Sequence, residues 1–196
     1  MSIRHNVGNL IGHALRPFHA GESKLAEHQP GMDIGGMGAG LVLSSTRIGP
    51  SEPIPQRYAG DGENVSPPLR WTPPPEGTAE LVLVCEDPDA PTPRPYIHWV
   101  LAGLEPDLRE LPEGLAKTDH LTGLPGRPRQ GQNSAGTLGY TGPLPPVGHG
   151  MHHYHFQLFA SNHRLPAGIK LDRGTLVEQL AGHVLAKGCL VGTYER

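Results

Sequence analysis

Two stretches of this chain gather the side chains that acid–base or anion-binding chemistry needs. In "CEDPDAPTPRP" (Cys85–Pro95), Asp87 and Asp89 flank a proline where an apolar run stops, with Pro91 just beyond. Rigid proline φ angles and Asx-type hydrogen bonds would fix a sharp turn there and leave carboxylates at a strand end. In "GYTGPLPPVGHGMHHYHFQLFA" (Gly139–Ala160), strand alternation puts His152, Tyr154, Phe156 and Leu158 on one face and His153, His155 and Gln157 on the other. His152 and Tyr154 therefore open a face that soon turns apolar, an arrangement suited to an imidazole and a phenol converging on a ligand at the rim of a core. His153 and His155 could hold a metal across their face, but zinc and copper sites call for a third ligand, and His149 is the only sequence neighbour. A solvated face is the simpler reading, and neither metal nor cofactor is expected. In "YIHWV" (Tyr96–Val100), alternation groups Ile97, Trp99 and Leu101 and turns His98 to the other side with Val100. No Gly-x-Ser-x-Gly elbow occurs and nothing around Ser134 would activate it, so no catalytic residue is assigned.

The elements that must carry these groups are short. "LVLSS", "ELVLVCED", "YIHWVLAGL", "HHYHFQLFA" and "CLVGTY" are of strand length, separated by proline- and glycine-rich turns and by a long polar connection from Lys117 to Thr141. An antiparallel β-sandwich fits this order better than an α/β sheet, which needs a helix between successive strands. In "TLVEQLAGHVLAKG", Leu176, Val177, Leu180 and Val184 share a helical face, Thr175 and Glu178 have capping-box spacing, and Lys187-Gly188 makes a stop. At the other end, Ile3, Val7, Leu10, Ile11, Ala14, Leu15 and Phe18 recur at helical spacing between Ser2 and Pro17. That amphipathic helix, whose polar side holds Arg4, His5, His13 and Arg16, is expected to pack on the domain or on a second subunit rather than on a membrane. The glycine-rich "PGMDIGGMGAG" then reads as a connector, dividing the chain into an extension over residues 1–40 and a domain over 41–196.

Composition narrows the class of partner. With 16 basic and 19 acidic residues in 196, the net charge of −3 does not steer the chain toward nucleic acid or an anionic membrane. Cys85 and Cys189 spell no zinc or redox motif and read as free thiols of a reducing compartment. No stretch has the apolar core of a signal peptide or the length to span a bilayer, so a cytoplasmic location is expected.

Four segments in the same order carry a family resemblance: "YAGDGENVSPPLRW", "EDPDAP", "IHWVLAGL" and the Gly139–Ala160 stretch, with "LVGTYER" as the ending. Over roughly Leu41 to Arg196 the chain resembles the phosphatidylethanolamine-binding protein family, in its bacterial Raf kinase inhibitor-like branch. The resemblance implies an antiparallel β-sandwich with a small pocket that accepts an anionic group such as phosphate or a phospholipid headgroup. Matched position by position, that pocket would comprise Asp87, His98, Pro146, His152 and Tyr154. Two imidazoles and a phenol can donate to phosphate oxygens while Asp87 orients one imidazole, so anion affinity is expected to strengthen as pH falls. Relatives often carry Lys or Arg just after the motif histidine; here His153 stands there, with His149 as the candidate replacement for the missing charge. The resemblance also implies a homodimer. Alternative roles are an interaction protein that inhibits a kinase or protease, and an enzyme using the Asp–His pair as general base on a small phosphoester.

Overall fold

A computed structural model describes residues 10–34 and 40–196. The expectations for Ser2, Ile3, Arg4, His5, Val7 and the centre of the glycine-rich connector lie outside these residues.

Among the described residues, nine strands form two sheets: β1 (Leu43–Ser44), β2 (Glu52–Pro53), β3 (Leu69–Trp71), β4 (Glu80–Asp87), β5 (Tyr96–Leu104), β6 (Glu110–Leu111), β7 (Arg129–Gln130), β8 (His152–Ser161) and β9 (Val184–Tyr194). The larger sheet runs β2-β9-β8-β4-β5-β7 and the smaller β1-β3-β6, antiparallel except where β2 meets β9. The expected mainly β architecture is thus the observed one. All eight residues of β4 are buried because both faces of the large sheet are covered. On one face Leu83, Cys85, Trp99, Tyr154, Phe156 and Leu158 pack against the small sheet through Leu43, Leu69 and Trp71. On the other, Val82, Val84, Val100 and Phe159 lie under a helix, α1 (Arg173–Leu180), and under Ala26 and Met32 of the N-terminal arm.

Alternation along β8 sorts its side chains as expected, with Tyr154, Phe156 and Leu158 in the core between the sheets. His155, however, is buried rather than solvated, because the turn of 3-10 helix at Ala26–His28 covers its face. β5 departs from simple alternation. Cys85 pairs with Trp99 and Glu86 with Ile97, so His98 is the extra residue of a β-bulge. The bulge turns His98 to the same side as Trp99 and puts Ile97 against the opposite cluster, correcting the faces that the period-2 pattern assigns.

α1 is shorter than its periodicity predicts. Its N-cap is Asp172, whose side chain accepts from Thr175 N, and not Thr175. It ends at Leu180, and Val184 begins β9, because the Val184–Tyr194 backbone is drawn into a long antiparallel ladder with β8. Asp172→Ala is expected to cost about 1 kcal/mol, the usual value of an N-cap side chain, read as a lower denaturant midpoint.

The N-terminal arm is fixed by backbone and polar contacts along its first part and by apolar burial farther on. Residues 10–15 are helical. Of the apolar stripe expected to pack on the domain or on a second subunit, Leu10, Ile11 and Phe18 are exposed and do not pack on the domain. The helix instead approaches the 147–149 loop through Gly12, where a Cβ would lie 2.0 Å from Val147 O. Arg16 Nε donates to Gly148 O, and farther on Ala20 N and Gly21 N donate to Ala90 O and Pro88 O. Leu25, Ala26 and Met32, residues of the predicted extension, are fully buried.

Candidate functional site

The residues singled out from sequence meet at one end of the sheets. Asp87 ends β4 and starts the expected turn: Oδ1 accepts from Asp89 N at 2.8 Å and Ala90 N at 3.1 Å. Its other oxygen, Oδ2, accepts from His152 Nδ1 at 2.7 Å. His98, aimed by the bulge, donates from Nδ1 to Thr141 O at 2.7 Å, while Thr141 N donates back to His98 O. The His98 ring stands edge-on to Tyr154, centroids 5.0 Å apart at 81°. Asp87, His98, Pro146, His152 and Tyr154 all line one cavity of about 380 Å³. Asn64, Tyr96, Thr141 and Gly142 complete much of its wall, and Leu144, Pro145 and Pro146 form a proline-rich lip. Sequence reasoning missed Asn64 and Thr141; Asn64 sits in the quoted "GDGENVSPPLRW" segment, and its Oδ1 holds Gly142 N at 2.8 Å.

Three features decide what this cavity can do. First, no Lys or Arg among the described residues lines it, so the positive charge these residues can offer comes from imidazole. Second, the Tyr154 hydroxyl is buried without a partner among the described residues. Burial, reinforced by the Asp87 carboxylate, pushes its ionisation far up, so the phenol keeps its proton and is a donor. Third, burial lowers the pKa of His98, with Asp87 and the bond to Thr141 O opposing in part. His98 is therefore neutral near pH 7, with its proton on Nδ1 and a lone pair on Nε2.

His152 is engaged on both nitrogens. Beyond its bond to Asp87, Nε2 lies 2.6 Å from His149 Nδ1, and His149 Nε2 donates to Leu15 O at 3.0 Å. A carbonyl only accepts, so His149 Nε2 must carry hydrogen; a carboxylate only accepts, so His152 Nδ1 must as well. Two neutral imidazoles would then face lone pair to lone pair at 2.6 Å. The file is fully bonded when it holds one additional proton, an imidazolium balanced by Asp87. His149 thus reaches the site through His152 and does not line the cavity. His153 is turned outward, where Nδ1 and its backbone N–H donate to Asp89 Oδ2, each at 2.8 Å. The His153 that stands where relatives carry Lys or Arg thus stiffens the aspartate turn instead of charging the cavity mouth.

The family model described as phosphatidylethanolamine-binding protein matches residues 44–195. The chain belongs to the phosphatidylethanolamine-binding protein family. A UPF0098 protein of Pyrococcus abyssi is 39% identical over 163 residues, which is 83% of this chain and 90% of that protein. Among solved structures, the Chlamydia trachomatis homologue CT736, titled a putative member of the same family, superposes with a TM-score of 0.71 at 33% identity over 80% of this chain and 98% of its own. Escherichia coli YbcL superposes with a TM-score of 0.74 at 29% identity over 81% of this chain and 99% of its own. The matched segment of the phosphatidylethanolamine-binding fold contains all five expected pocket residues. It begins beyond the arm that supplies the carbonyl of Leu15 to His149.

Proposed function

We propose that the cavity binds a small anion, a phosphate or phosphorylated headgroup, and recognises it without turning it over. The observation that carries this reading is the buried, unpartnered Tyr154 hydroxyl beside two imidazoles in a cavity that Asp87 also lines. A ligand oxygen accepting from Tyr154 would supply the partner that the phenol lacks, removing a cost of about 1–3 kcal/mol. His98 Nε2 presents a lone pair, so an anion seated against it requires a proton there. Binding then takes up a proton, and the sign follows: the free site resists protonation at His98, the occupied site favours it, and affinity rises as pH falls. Free thiols at Cys85 and Cys189 support a reducing, cytoplasmic setting. No described helix is long and apolar enough to cross a membrane.

Calorimetric titration with phosphate and phosphorylethanolamine tests the reading. Binding at pH 6 should exceed that at pH 8, and Tyr154→Phe should weaken it by about tenfold or more, the worth of one hydrogen bond to a charged group. Sulfate, whose charge is constant over this range, isolates the protein's own proton: its affinity should change by up to about tenfold per pH unit where one proton is taken up. Equal affinities in wild type and Tyr154→Phe, or no heat with any of these anions, would reject the proposal.

A further inference from the structure

On the face of the large sheet away from the cavity, three metal-binding side chains from separate parts of the chain converge. Glu27 comes from the 3-10 turn Ala26–His28, His155 from β8 and Cys189 from β9. One donor atom of each lies within 4.8 Å of the other two. Their placement follows from the fold. Cys189 stands directly across from Gln157 in the β8–β9 ladder, so it lies diagonally from His155 on one face. Cys189 Sγ is 4.0 Å from His155 Nδ1. The backbone of Glu27 is held over the same two strands: its N–H donates to Gln157 Oε1 at 2.9 Å and its carbonyl accepts from Lys187 Nζ at 3.1 Å.

The imidazole is the anomalous member. His155 is more than nine-tenths buried, and Nε2 has no hydrogen-bond partner among the described residues. Its other nitrogen has only the weak thiol contact. A buried imidazole satisfied so poorly is costly unless it serves something else. Thiolate, imidazole and carboxylate together match the donor preferences of Zn²⁺, and three protein ligands with an open fourth position form a common zinc arrangement. Tetrahedral bonds of ordinary length place such ligand atoms about 3.4–3.6 Å apart. The observed cluster reaches that spacing by a contraction of about 1 Å, within the rotamer range of the half-buried Glu27 and the exposed Cys189.

We propose that Glu27, His155 and Cys189 form a zinc-class metal site that clasps the N-terminal arm to the sheet. The arm so held is the one whose Ala20 and Gly21 amides bond the outside of the Asp87–Ala90 turn, so the metal would brace the cavity wall from behind. On binding, the thiol proton leaves to solvent and the thiolate sulfur takes its place in the metal's coordination shell; no electron is transferred.

Titration of the full-length chain with Co²⁺, followed by Zn²⁺ competition, tests this. One Co²⁺ per chain should bind with a thiolate-to-cobalt charge-transfer absorption that excess Zn²⁺ abolishes, and Zn²⁺ should protect the arm against limited proteolysis. Cys189→Ser, at an exposed position, should keep the fold, lose the charge-transfer absorption and bind more than roughly 100-fold more weakly. Glu27→Gln, which leaves both backbone contacts of residue 27 in place, should also weaken binding and remove the protease protection. Absence of stoichiometric binding at micromolar metal would overturn the proposal. So would binding that is unchanged in Cys189→Ser or in Glu27→Gln, since the metal would then sit on other histidines such as the His163–His183 pair.

Discussion

Asp87→Ala is expected to lower the unfolding free energy by about 3–5 kcal/mol, the cost of removing one partner of a buried ion pair. The carboxylate performs two separable tasks. Oδ1 closes the turn through Asp89 N and Ala90 N, and Oδ2 holds the file of His152, His149 and Leu15 O. Alanine ends both and leaves a protonated imidazole pair without its counter-charge in a site where His152 is 1% exposed. Asp87→Asn distinguishes the tasks. Its oxygen can still close the turn, and its amide N–H can donate to His152 Nδ1. Then His152 Nε2–H donates to His149 Nδ1 and His149 Nε2–H to Leu15 O, and every bond of the file is made with neutral side chains. Asp87→Asn should therefore stay within about 1 kcal/mol of wild type in urea denaturation, a single neutral hydrogen bond's worth. If the two variants are equally unstable, the proton count is wrong and the carboxylate's charge itself holds the turn.

How much of this was legible in the chain depends on whether local pattern or remote pairing decides each feature. The period-2 pattern of His152–Leu158 placed Tyr154 and Phe156 correctly, because β8 runs unbroken against both β4 and β9 up to Ala160. The Asp87 turn was equally readable, since its hydrogen bonds span only two and three residues. The same rule puts His98 on the wrong face, because one unpaired residue opposite the Cys85–Glu86 step reverses the count, and no local residue type announces a bulge there. Family resemblance reached His98 where alternation could not. Periodicity carries α1 too far for a similar reason: Val184 has helical spacing from Leu180, yet a long ladder with β8 outweighs a few tenths of a kcal/mol of local propensity. The link from His149 to Leu15 O and the convergence of Glu27, His155 and Cys189 span more than a hundred residues of chain and leave no sequence signature at all.

Gly142→Ala is expected to be the most damaging single-carbon change in the cavity wall. A Cβ there would lie 2.1 Å from Tyr58 O and 2.7 Å from the carbonyl carbon of Ala59, backbone atoms that no rotamer change can move aside. Tyr58 O also accepts from the buried Tyr140 hydroxyl at 2.9 Å, and Gly60 N donates to Pro143 O at 2.7 Å, so the two strips of chain are bonded on either side of the clash. Separating them strains both bonds and pulls Gly142 N from Asn64 Oδ1. The cost should reach about 3 kcal/mol, the upper part of the range for overpacking, seen as a lowered thermal midpoint, with phosphate binding lost as the wall opens. Gly60→Ala, on the same wall, provides the contrast. Its Cβ would meet Leu144 Cβ at 3.1 Å and Pro143 O at 3.3 Å, distances that a shift of a few tenths of an ångström in the exposed lip relieves. That variant should lose less than about 1 kcal/mol and keep most of its phosphate affinity, so the pair of melting curves reads whether the cavity depends on the close approach of Gly142 to Tyr58 or only on small residues along its rim.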